Sequence, residues 1–476
     1  MSLNREQLVA TIVEEVLARL PKAGVPAVRS AKGGTGGAFE SVDEAVSAAT
    51  EAQKKVAALG LEERGLIVDV IRNLCTENAE EWGRAELEET KIGRLDHKIE
   101  KLRFIRKVLG VEVMRAEVRT DRAGASIIEA APWGVVAMAL PATHSAPTMA
   151  SNAVNVLAAG NVPVFTAHPA AAKIAARALQ AMNRGIEKAV GIENALVTVF
   201  PPSIEATQAL FRHPGVALIC VTGGPAVVKA AMQAGKRVIA AGPGNPPVVV
   251  DPCADLALAA RHVVDGASFD NNLLCISEKE LFVAEEVADD FMAALRRCGA
   301  VALDARQIDA LTKAAFTFDG DGAGCGRAHV KRDFVGKDPS VLAEAAGARV
   351  PATTQLLFGE TGEDHPFVQE EQMMPFVPVV RVRGFERAVE ASLRAEHGYR
   401  HTALIHTSNL RHVTEMARAM NTTLFVHNGP CTAALGSGGA GYLSYSIATP
   451  TGEGVTTPLT FTRQRQLSIG GALRFI

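Results

Sequence analysis

One cysteine, Cys275, lies in the stretch GASFDNNLLCISEKE, residues 266–280, with small and amide side chains before it and charged ones after it. Three roles are compatible with it: nucleophile, metal ligand or core filler. A nucleophile needs partial exposure and a lowered pKa, since the thiolate is the reactive form. No further metal-ligating residue stands at a suitable spacing, and the local sequence leaves nucleophile and core filler equally open.

The remaining cysteines give no sign of a metal site or of disulfides. The chain has 7 cysteines in all, an odd number, widely spaced and without a C-x-x-C pair, which argues against a zinc site and a disulfide framework. The apolar N-terminal residues are interrupted by Glu14, Glu15 and Arg19. We therefore expect no secretory signal and a cytoplasmic setting.

Length and composition narrow the class of protein. A chain of 476 residues predicts two or three domains. No apolar run reaches the roughly 18–20 residues that cross a bilayer, so we expect no membrane partner. A net charge of −3 and an aromatic content of 5% favour no nucleic-acid partner.

A second stretch with chemical potential is CVTGGPAVVKAAMQ. An apolar strand is predicted to end at Thr222, Gly223 and Gly224 to form a turn, and Pro225 to begin a helix. Backbone N–H groups at such a helix start can hold a pyrophosphate. The stretch GSGGAG, residues 436–441, also matches G-x-G-x-x-G, but no helical pattern follows it, so we regard that match as coincidental.

The chain begins with an amphipathic pattern and a linker. Apolar residues at four-residue spacing predict a helix in residues 1–20, and residues 21–37 are rich in Gly and Pro. The apolar stripe of this helix must be covered by the chain's own body, by a sister subunit or by a larger assembly for which the helix is a targeting peptide.

The rest of the chain is predicted to form an α/β protein. Strand and helix patterns alternate at the spacing of a parallel, doubly wound sheet, and a second alternating region follows. A hairpin is expected around residues 122–124. The predicted parts are a nucleotide-binding domain (38–110 and 132–253), a second α/β domain (254–435), and a hairpin with a C-terminal segment (111–131 and 436–476).

Six stretches occur in the order seen in the CoA-acylating branch of the aldehyde dehydrogenase superfamily, which this chain resembles over roughly residues 38–476. They are the cysteine stretch, VTGGPAVV, GPGNPPVVVD, EEQMMPFVPVV, GYRHTALIH and ATPTGEG. The resemblance implies a Rossmann-type NAD-binding domain, an α/β catalytic domain and a β oligomerisation arm. The propionaldehyde and acetaldehyde dehydrogenases of bacterial microcompartments resemble it further in their N-terminal helix, which implies that residues 1–20 are an encapsulation peptide.

The resemblance implies that Cys275 forms a thioester with the aldehyde carbon while NAD takes up hydride. Hydrolytic members of the superfamily carry a Glu-Leu-Gly-Gly segment whose glutamate activates water. This chain has AAGPGNPP there, residues 240–247, without a carboxylate. Water is a poor nucleophile without a general base, so CoA is expected to take the acyl group.

Further site residues follow from the same resemblance. Glu371 matches the glutamate that binds the nicotinamide ribose, and His168 stands where many members have an adenosine-ribose lysine. His401 matches a histidine associated in this branch with CoA deprotonation, although a histidine that enters a strand is more often structural. The remaining expected cofactor-binding residues are Thr222, Gly223, Gly224 and Gly242.

The chain departs from the family at one catalytic position. Relatives generally have Pro-Ser-Thr-Asn-Pro where this chain has PATHSAP, residues 141–147, so His144 replaces an asparagine of the oxyanion hole. The Cys275 backbone N–H is the first expected oxyanion donor, and either Thr143 or His144 is the second. Glu278 and Glu280 are expected to be solvated strand residues.

The resulting prediction is an NAD-dependent, CoA-acylating aldehyde dehydrogenase acting on a short-chain aldehyde, with propionaldehyde favoured and no metal. We expect a homo-oligomer inside a bacterial microcompartment, with shell or core proteins as partners of the N-terminal helix. Three alternatives remain: an acetaldehyde-specific acylating enzyme, a hydrolytic aldehyde dehydrogenase, and a non-catalytic assembly component.

Overall fold

Two parallel sheets and one antiparallel sheet form the framework of the protein. The computed structural model describes residues 36–319 and 328–471, which belong to one unit from Gly34 to Ile476. The predicted N-terminal helix, residues 1–20, lies outside the described residues, as does all but the end of the predicted linker.

The described helices are α1 Val42–Ala58, α2 Leu61–Glu77, α3 Ala79–Thr90, α4 Leu95–Arg103, α5 Ser145–Ala158, α6 Ala172–Val190, α7 Ile204–Arg212, α8 Pro225–Met232, α9 Leu256–Ala267, α10 Ala288–Arg297, α11 Ala305–Ala315, α12 Pro339–Ala345, α13 Pro366–Gln369, α14 Phe385–Ala395 and α15 Leu410–Met420. None of these helices is long and apolar enough to cross a membrane.

The described strands are β1 Ala38–Phe39, β2 Glu117–Asp121, β3 Gly124–Pro132, β4 Val135–Ala139, β5 Val162–Thr166, β6 Val197–Val199, β7 Val216–Thr222, β8 Arg237–Ala241, β9 Pro247–Val250, β10 Glu280–Ala284, β11 Val301–Ala302, β12 Phe316–Phe318, β13 Ala328–Val330, β14 Leu357–Glu360, β15 Phe376–Val382, β16 Thr402–His406, β17 Leu424–His427, β18 Ile447–Ala448, β19 Gly454–Val455 and β20 Thr462–Gly470.

The first sheet is the predicted parallel, doubly wound one. Its order is β1-β6-β5-β4-β7-β8, and every residue of β4 and β5 is buried, as expected for strands covered by helices on both faces. The chain proceeds outward from β4 to β5 and β6, and then returns to place β7 on the other side of β4. Ligands bind at the carboxyl ends of strands at such a switch point.

The second sheet is also parallel, with the order β11-β14-β15-β10-β9-β16-β17. Strand β9 pairs with β10 and β16, so the predicted domain boundary at residue 253 is wrong. The apolar run of β9 follows the first sheet directly in sequence, but its hydrogen-bonding partners come from later in the chain. The second α/β region therefore begins before residue 247.

The antiparallel sheet contains the predicted hairpin. Strands β2 and β3 pair around a turn at Arg122 and Ala123, and β20 pairs with β3 over nine residues. All five residues of β2 are exposed. The predicted C-terminal segment is divided, because β18 and β19 pair with each other and β18 packs beside β8 in the body of the protein.

Local sequence accounts for several element ends. The Ser41 side chain accepts a hydrogen bond from the Glu44 N–H and thereby caps α1. Helix α6 ends at Gly191, whose φ of 70° is readily adopted by glycine. Helix α8 begins at Pro225 directly after Gly224, as predicted.

Candidate active site

The site lies where the amino ends of four neighbouring strands of the second sheet meet the carboxyl ends of β4, β7 and β8 of the first. Gly244 precedes β9, Cys275 precedes β10, Glu371 precedes β15 and His401 precedes β16. Because β15, β10, β9 and β16 are adjacent, residues that are far apart in sequence come together at one sheet edge.

A cavity of about 640 Å³ lies at this junction, within the size range of cofactor sites. Nearly all the predicted site residues line it: Thr143, His144, His168, Thr222, Gly223, Gly224, Gly242, Cys275 and Glu371. His401 is the exception. Other residues that line the cavity were not predicted, among them Leu273, Met373, Tyr445 and Ile447, because no sequence pattern distinguishes them from ordinary apolar residues.

Cys275 is half-buried and lines the cavity. Burial, reinforced by the Glu371 carboxylate, raises the pKa of its thiol to about 12, while the Lys279 ammonium and nearby backbone N–H groups act in the opposite direction. Cys275 therefore has the partial exposure that a nucleophile needs, but its thiol does not have the lowered pKa. In the ligand-free protein the thiol is therefore protonated, and it requires a base or added positive charge to react.

The backbone before Cys275 has an unusual conformation. Asp270, Asn271 and Asn272 all have positive φ, of 50°, 56° and 64°, a conformation that Asn and Asp tolerate better than other non-glycine residues. The Asn271 amide donates to the Gly336 carbonyl at 3.1 Å and to Asp338 at 2.9 Å. Side-chain hydrogen bonds thus hold a backbone turn that is costly by itself.

Lys279 binds the backbone of the same loop. Its fully buried ammonium group donates to the carbonyl oxygens of Asn272 at 2.8 Å and Leu274 at 3.2 Å, and also to the Asn272 side-chain oxygen. Burial lowers the pKa of Lys279, whereas Glu371 and Cys275 raise it. Lys279 therefore binds the backbone carbonyl groups on both sides of Leu273 and so fixes the backbone segment that leads to Cys275.

Thr143 and His144 lie across the cavity, between β4 and α5. His144 is 6% exposed, and its Nδ1 has no hydrogen-bond partner among the described residues. Burial, aided by the Lys101 ammonium, lowers the pKa of His144 well below its ordinary value. The ring is therefore neutral at physiological pH and can donate from one nitrogen, as an oxyanion-hole residue requires.

The turn before α8 is suited to a pyrophosphate. An added Cβ at Gly224 would meet no atom within 4 Å, so the backbone borders open space in the cavity where a side chain would otherwise project. N–H groups at a helix start lack intrahelical partners and attract anions. Because Pro225 has no N–H, the groups available at the start of α8 are those of Gly224, Ala226 and Val227. The Thr222 hydroxyl is hydrogen-bonded to Ser446 at 2.7 Å, whereas His168 lies exposed at the rim of the cavity.

Glu371 is the one carboxylate among the residues that line this cavity. Burial raises its pKa to about 7, and the opposing influences are the Lys279 ammonium and a hydrogen bond from the Gly244 N–H. A carboxylate with such a pKa changes protonation near physiological pH. It could either bind a ribose hydroxyl or take a proton.

His401 lies behind Gly244 and does not line the cavity. An added Cβ at Gly244 would come within 2.8 Å of the His401 ring and 2.7 Å of the Cys275 carbonyl oxygen. His401 is fully buried, with no partner at Nε2 within the described part of the chain. Burial lowers its pKa to about 4, so the ring is neutral.

The expectation that Glu278 and Glu280 are solvated is wrong, since both are fully buried. Glu278 accepts a hydrogen bond from the Cys431 N–H at 2.8 Å, and burial raises its pKa to about 7. Burial raises the pKa of Glu280 well above its ordinary value. The charged letters after Cys275 suggested an exposed strand, but β10 is a central strand of the second sheet.

Cys275 and the start of α8 line one cavity between two parallel sheets, an arrangement suited to thioester-forming, nucleotide-dependent oxidation. The sequence pattern that defines the aldehyde dehydrogenase family matches residues 34–302. The chain belongs to this family.

The chain is also similar to individual proteins with more specific names than that of the family. The chain is 43% identical to acetaldehyde dehydrogenase (acetylating) EutE of Salmonella typhimurium, over 99% of this chain and 100% of the relative. It also resembles the solved propionaldehyde dehydrogenase of Rhodopseudomonas palustris with bound propionyl-CoA, with a TM-score of 0.88, 38% identity, and coverage of 91% and 95% of the two chains. A propionaldehyde dehydrogenase from a Clostridium phytofermentans microcompartment gives a TM-score of 0.89 and 36% identity, covering 92% and 100%.

Proposed function

We propose that this protein oxidises a short-chain aldehyde to its acyl-CoA thioester, with NAD(P) as electron acceptor and CoA as acyl acceptor. The observation that carries the proposal is the placement of Cys275 in one cavity with the α8 helix start and the Thr143–His144 segment. The balanced reaction is aldehyde + NAD⁺ + CoA giving acyl-CoA + NADH + H⁺. The relatives described above support the same activity.

Cys275 supplies the nucleophile. The thiol first releases its proton, which is the H⁺ of the balanced reaction. The thiolate then adds to the aldehyde carbon, and the C–S bond forms as the C=O π bond opens, which leaves a tetrahedral oxyanion. We propose that the Cys275 backbone N–H and neutral His144, or the Thr143 hydroxyl, donate to this oxygen, since losing one such donor typically lowers the rate by about 10²- to 10³-fold. A bound NAD(P) would supply the acceptor for the hydride of this carbon, and Cys275 would hold the resulting acyl group as a thioester.

The residues present fit a dinucleotide. Gly224 leaves room for a pyrophosphate at the α8 start, and Glu371 lies beside Cys275 where a nicotinamide ribose would be held. His168 and Gly242 border the same cavity. We propose that these residues, together with Thr222, form the cofactor-binding set.

CoA is the proposed acyl acceptor because the 240–247 segment contributes no carboxylate that could activate water. The CoA thiol attacks the thioester carbon, and Cys275 leaves as the thiolate. His401, which lies behind Gly244, is our candidate for the group that takes the CoA thiol proton, since its ring is neutral and its Nε2 has no partner among the described residues. Glu371 favours the second candidate function, hydrolysis, because it is a carboxylate within the cavity and its pKa is about 7.

The substrate we favour is propionaldehyde, because two structural relatives are named as propionaldehyde dehydrogenases. Acetaldehyde is the alternative, on the basis of the relative from Salmonella typhimurium. The cavity wall is mostly apolar, with Leu273, Met373 and Ile447 among its residues, which suits a short alkyl group.

We further propose that the protein is a homo-oligomer in a bacterial microcompartment. Strands β2 and β20 form the free edges of the antiparallel sheet, and exposed Val118 and Leu467 lie on them, so this sheet is the proposed oligomerisation arm. Residues 1–20 are the proposed encapsulation peptide. Fusing them to a fluorescent protein and comparing its recruitment to microcompartments with that of a fusion lacking them tests this assignment.

The activity is tested by NADH formation from propionaldehyde and acetaldehyde, with and without CoA. The parent is compared with Cys275→Ala and with Cys298→Ala, a control at a half-buried cysteine outside the cavity. We expect strict dependence on CoA and a loss of at least about 10³-fold for Cys275→Ala alone. Equal rates without CoA would instead establish hydrolysis, and a Glu371→Gln variant would then test that carboxylate as the base.

A further inference from the structure

Four buried charged side chains form a cluster beside the active site. Lys98 and Lys101 lie on α4, and Glu86 and Asp270 are their partners; each is at most 1% exposed. The Lys98 ammonium lies 3.4 Å from Glu86 and 3.9 Å from Asp270, and the Lys101 ammonium contacts Asp270 closely. Two positive and two negative charges therefore compensate one another out of contact with water.

The cluster is attached to both sides of the cavity. The ammonium groups of Lys101 and Lys98 lie 3.3 Å and 3.4 Å from the Thr143 carbonyl oxygen. Glu86 accepts a hydrogen bond from the N–H of Ala146, in the first turn of α5, at 3.3 Å. These contacts fix the Thr143–His144 segment to α3 and α4.

On the opposite side, Asp270 begins the left-handed turn that leads to Cys275. Its carboxylate accepts a hydrogen bond from the Arg94 N–H at 2.7 Å, and its own N–H donates to His97 Nδ1 at 2.8 Å. Asp270 has a φ of 50°. An anchored side chain at this position is thus needed to keep a costly backbone turn in place.

Burying charges is expensive, and replacing a buried ion pair by apolar residues is often neutral or stabilising. Stability alone therefore does not explain why two lysines and two carboxylates occupy this place. Their distinguishing feature is that both lysines reach the loop before Cys275 and the facing segment at the same time. Lys101 makes the closer contact with each, through one ammonium group.

We propose that Lys101 is a positioning residue, which uses its contacts with the Asp270 carboxylate and the Thr143 carbonyl to hold Cys275 at a fixed distance from Thr143 and His144. Lys98 and Glu86 complete the charge balance and fix the start of α5. The proposal rests on the proposed role of Cys275 as the nucleophile, but not on the identity of the aldehyde or the acyl acceptor.

The test uses three variants: Lys101→Met, Asp270→Asn and the double variant that carries both changes. Each is compared with Arg103→Gln. Arg103 lies on the same helix in an exposed ion pair with Glu80 and is the matched control. The readouts are kcat and KM with NAD, the unfolding midpoint, and the alkylation rate of Cys275 by iodoacetamide in the ligand-free protein, followed by peptide mass spectrometry.

We expect Lys101→Met and Asp270→Asn to lower kcat by about 10²-fold, the usual effect of a misplacement near 1 Å. KM for NAD should stay within about 2-fold of the parent's value, because α8, which begins at the proposed pyrophosphate site, is not part of the charged cluster. The alkylation rate of Cys275 should change in both variants and remain unaltered in Arg103→Gln. The double variant should recover stability relative to Lys101→Met but not kcat.

A purely structural role gives a different pattern. If the variants lose stability while kcat and alkylation stay within about 2-fold of the parent, or if kcat recovers with stability in the double variant, the proposal is overturned. If Lys101→Met does not fold, Asp270→Asn decides, since asparagine keeps the shape and can still accept the Arg94 bond. Alkylation requires neither aldehyde nor CoA, so it separates this result from failure of the proposed function.

Discussion

Asn272 offers a quantitative test of the loop that carries Cys275. The residue is fully buried with a φ of 64°. Its amide group donates to the carbonyl oxygens of Ala267 and Glu278, both at 2.9 Å, and its side-chain oxygen accepts from Lys279. Replacing it removes all three contacts, and the chosen replacement decides whether the left-handed backbone is also penalised.

The expected magnitude follows from these contacts. Each lost hydrogen bond contributes about 1 kcal/mol net, and more where a buried partner stays unsatisfied, so the two amide bonds account for about 2–4 kcal/mol of unfolding free energy. The third contact adds little, because the Lys279 ammonium keeps the backbone carbonyls of Asn272 and Leu274 as partners. A Cβ in the left-handed region costs about 1 kcal/mol or more. We therefore expect Asn272→Gly to lose about 2–4 kcal/mol and Asn272→Ala about 1 kcal/mol beyond that.

The assay is urea-induced unfolding at one fixed protomer concentration, because oligomers unfold in a concentration-dependent way. Asn421 provides the control: it is exposed, ends α15 and has a φ of 47°. Asn421→Ala should again be about 1 kcal/mol less stable than Asn421→Gly. Neither Asn421 variant should show the larger loss of unfolding free energy that both Asn272 variants share. Equal stability of Asn272→Ala and Asn272→Gly would refute the left-handed loop, and losses below about 1 kcal/mol in both would refute the hydrogen bonds.

Three further perturbations test the electrostatics and the packing. Glu371→Gln should lower the pKa of the Cys275 thiol, because the carboxylate helps to raise it to about 12; the pH dependence of alkylation in the ligand-free protein should shift to lower pH, and an unchanged profile would contradict this. Glu278 has its pKa raised from 4.5 to about 7, so its contribution to stability is present below the unfolded pKa and is lost as the pH rises through about 7. Glu278→Gln should consequently gain up to about 3 kcal/mol relative to the parent between about pH 4 and pH 7, measured by urea unfolding across that range; a constant difference would count against it. Gly244→Ala places a Cβ 2.7 Å from the Cys275 carbonyl oxygen and should lower stability by about 1–3 kcal/mol and alter the alkylation rate, whereas Gly362→Ala, where a Cβ meets nothing within 4 Å, should do neither.

Local patterns in the sequence predicted much of this protein. The alternation of apolar strands with helices indicated the first doubly wound sheet, and Gly223, Gly224 and Pro225 indicated the start of α8. These features depend on neighbouring residues, whose φ preferences and periodicity act over a few positions. The positive φ values of the loop before Cys275 were not predicted, although Asp270, Asn271 and Asn272 are residue types that tolerate them.

Other features were not predictable because they depend on contacts between distant parts of the chain. Nothing near Glu278 and Glu280 in the sequence indicates that β10 is central and covered on both faces, so the two carboxylates were expected in water. Strand β9 follows the first sheet in sequence but pairs with β10 and β16. The burial of Lys98 and Lys101 is of the same kind, because their partner Asp270 lies far along the chain.

The sequence by itself determined the turn at the start of α8 and the alternating architecture, since each depends on adjacent residues. The role of Cys275 as nucleophile stays a prediction that rests on the family resemblance. Only the tertiary structure decided that Gly244, Cys275, Glu371 and His401 meet at the amino ends of adjacent strands. Which strands become neighbours is set by hydrogen bonding and packing across the whole sheet. The same non-local burial removes water from Cys275 and raises its pKa, so the reactivity of this thiol depends on the folded protein rather than on the residues beside it.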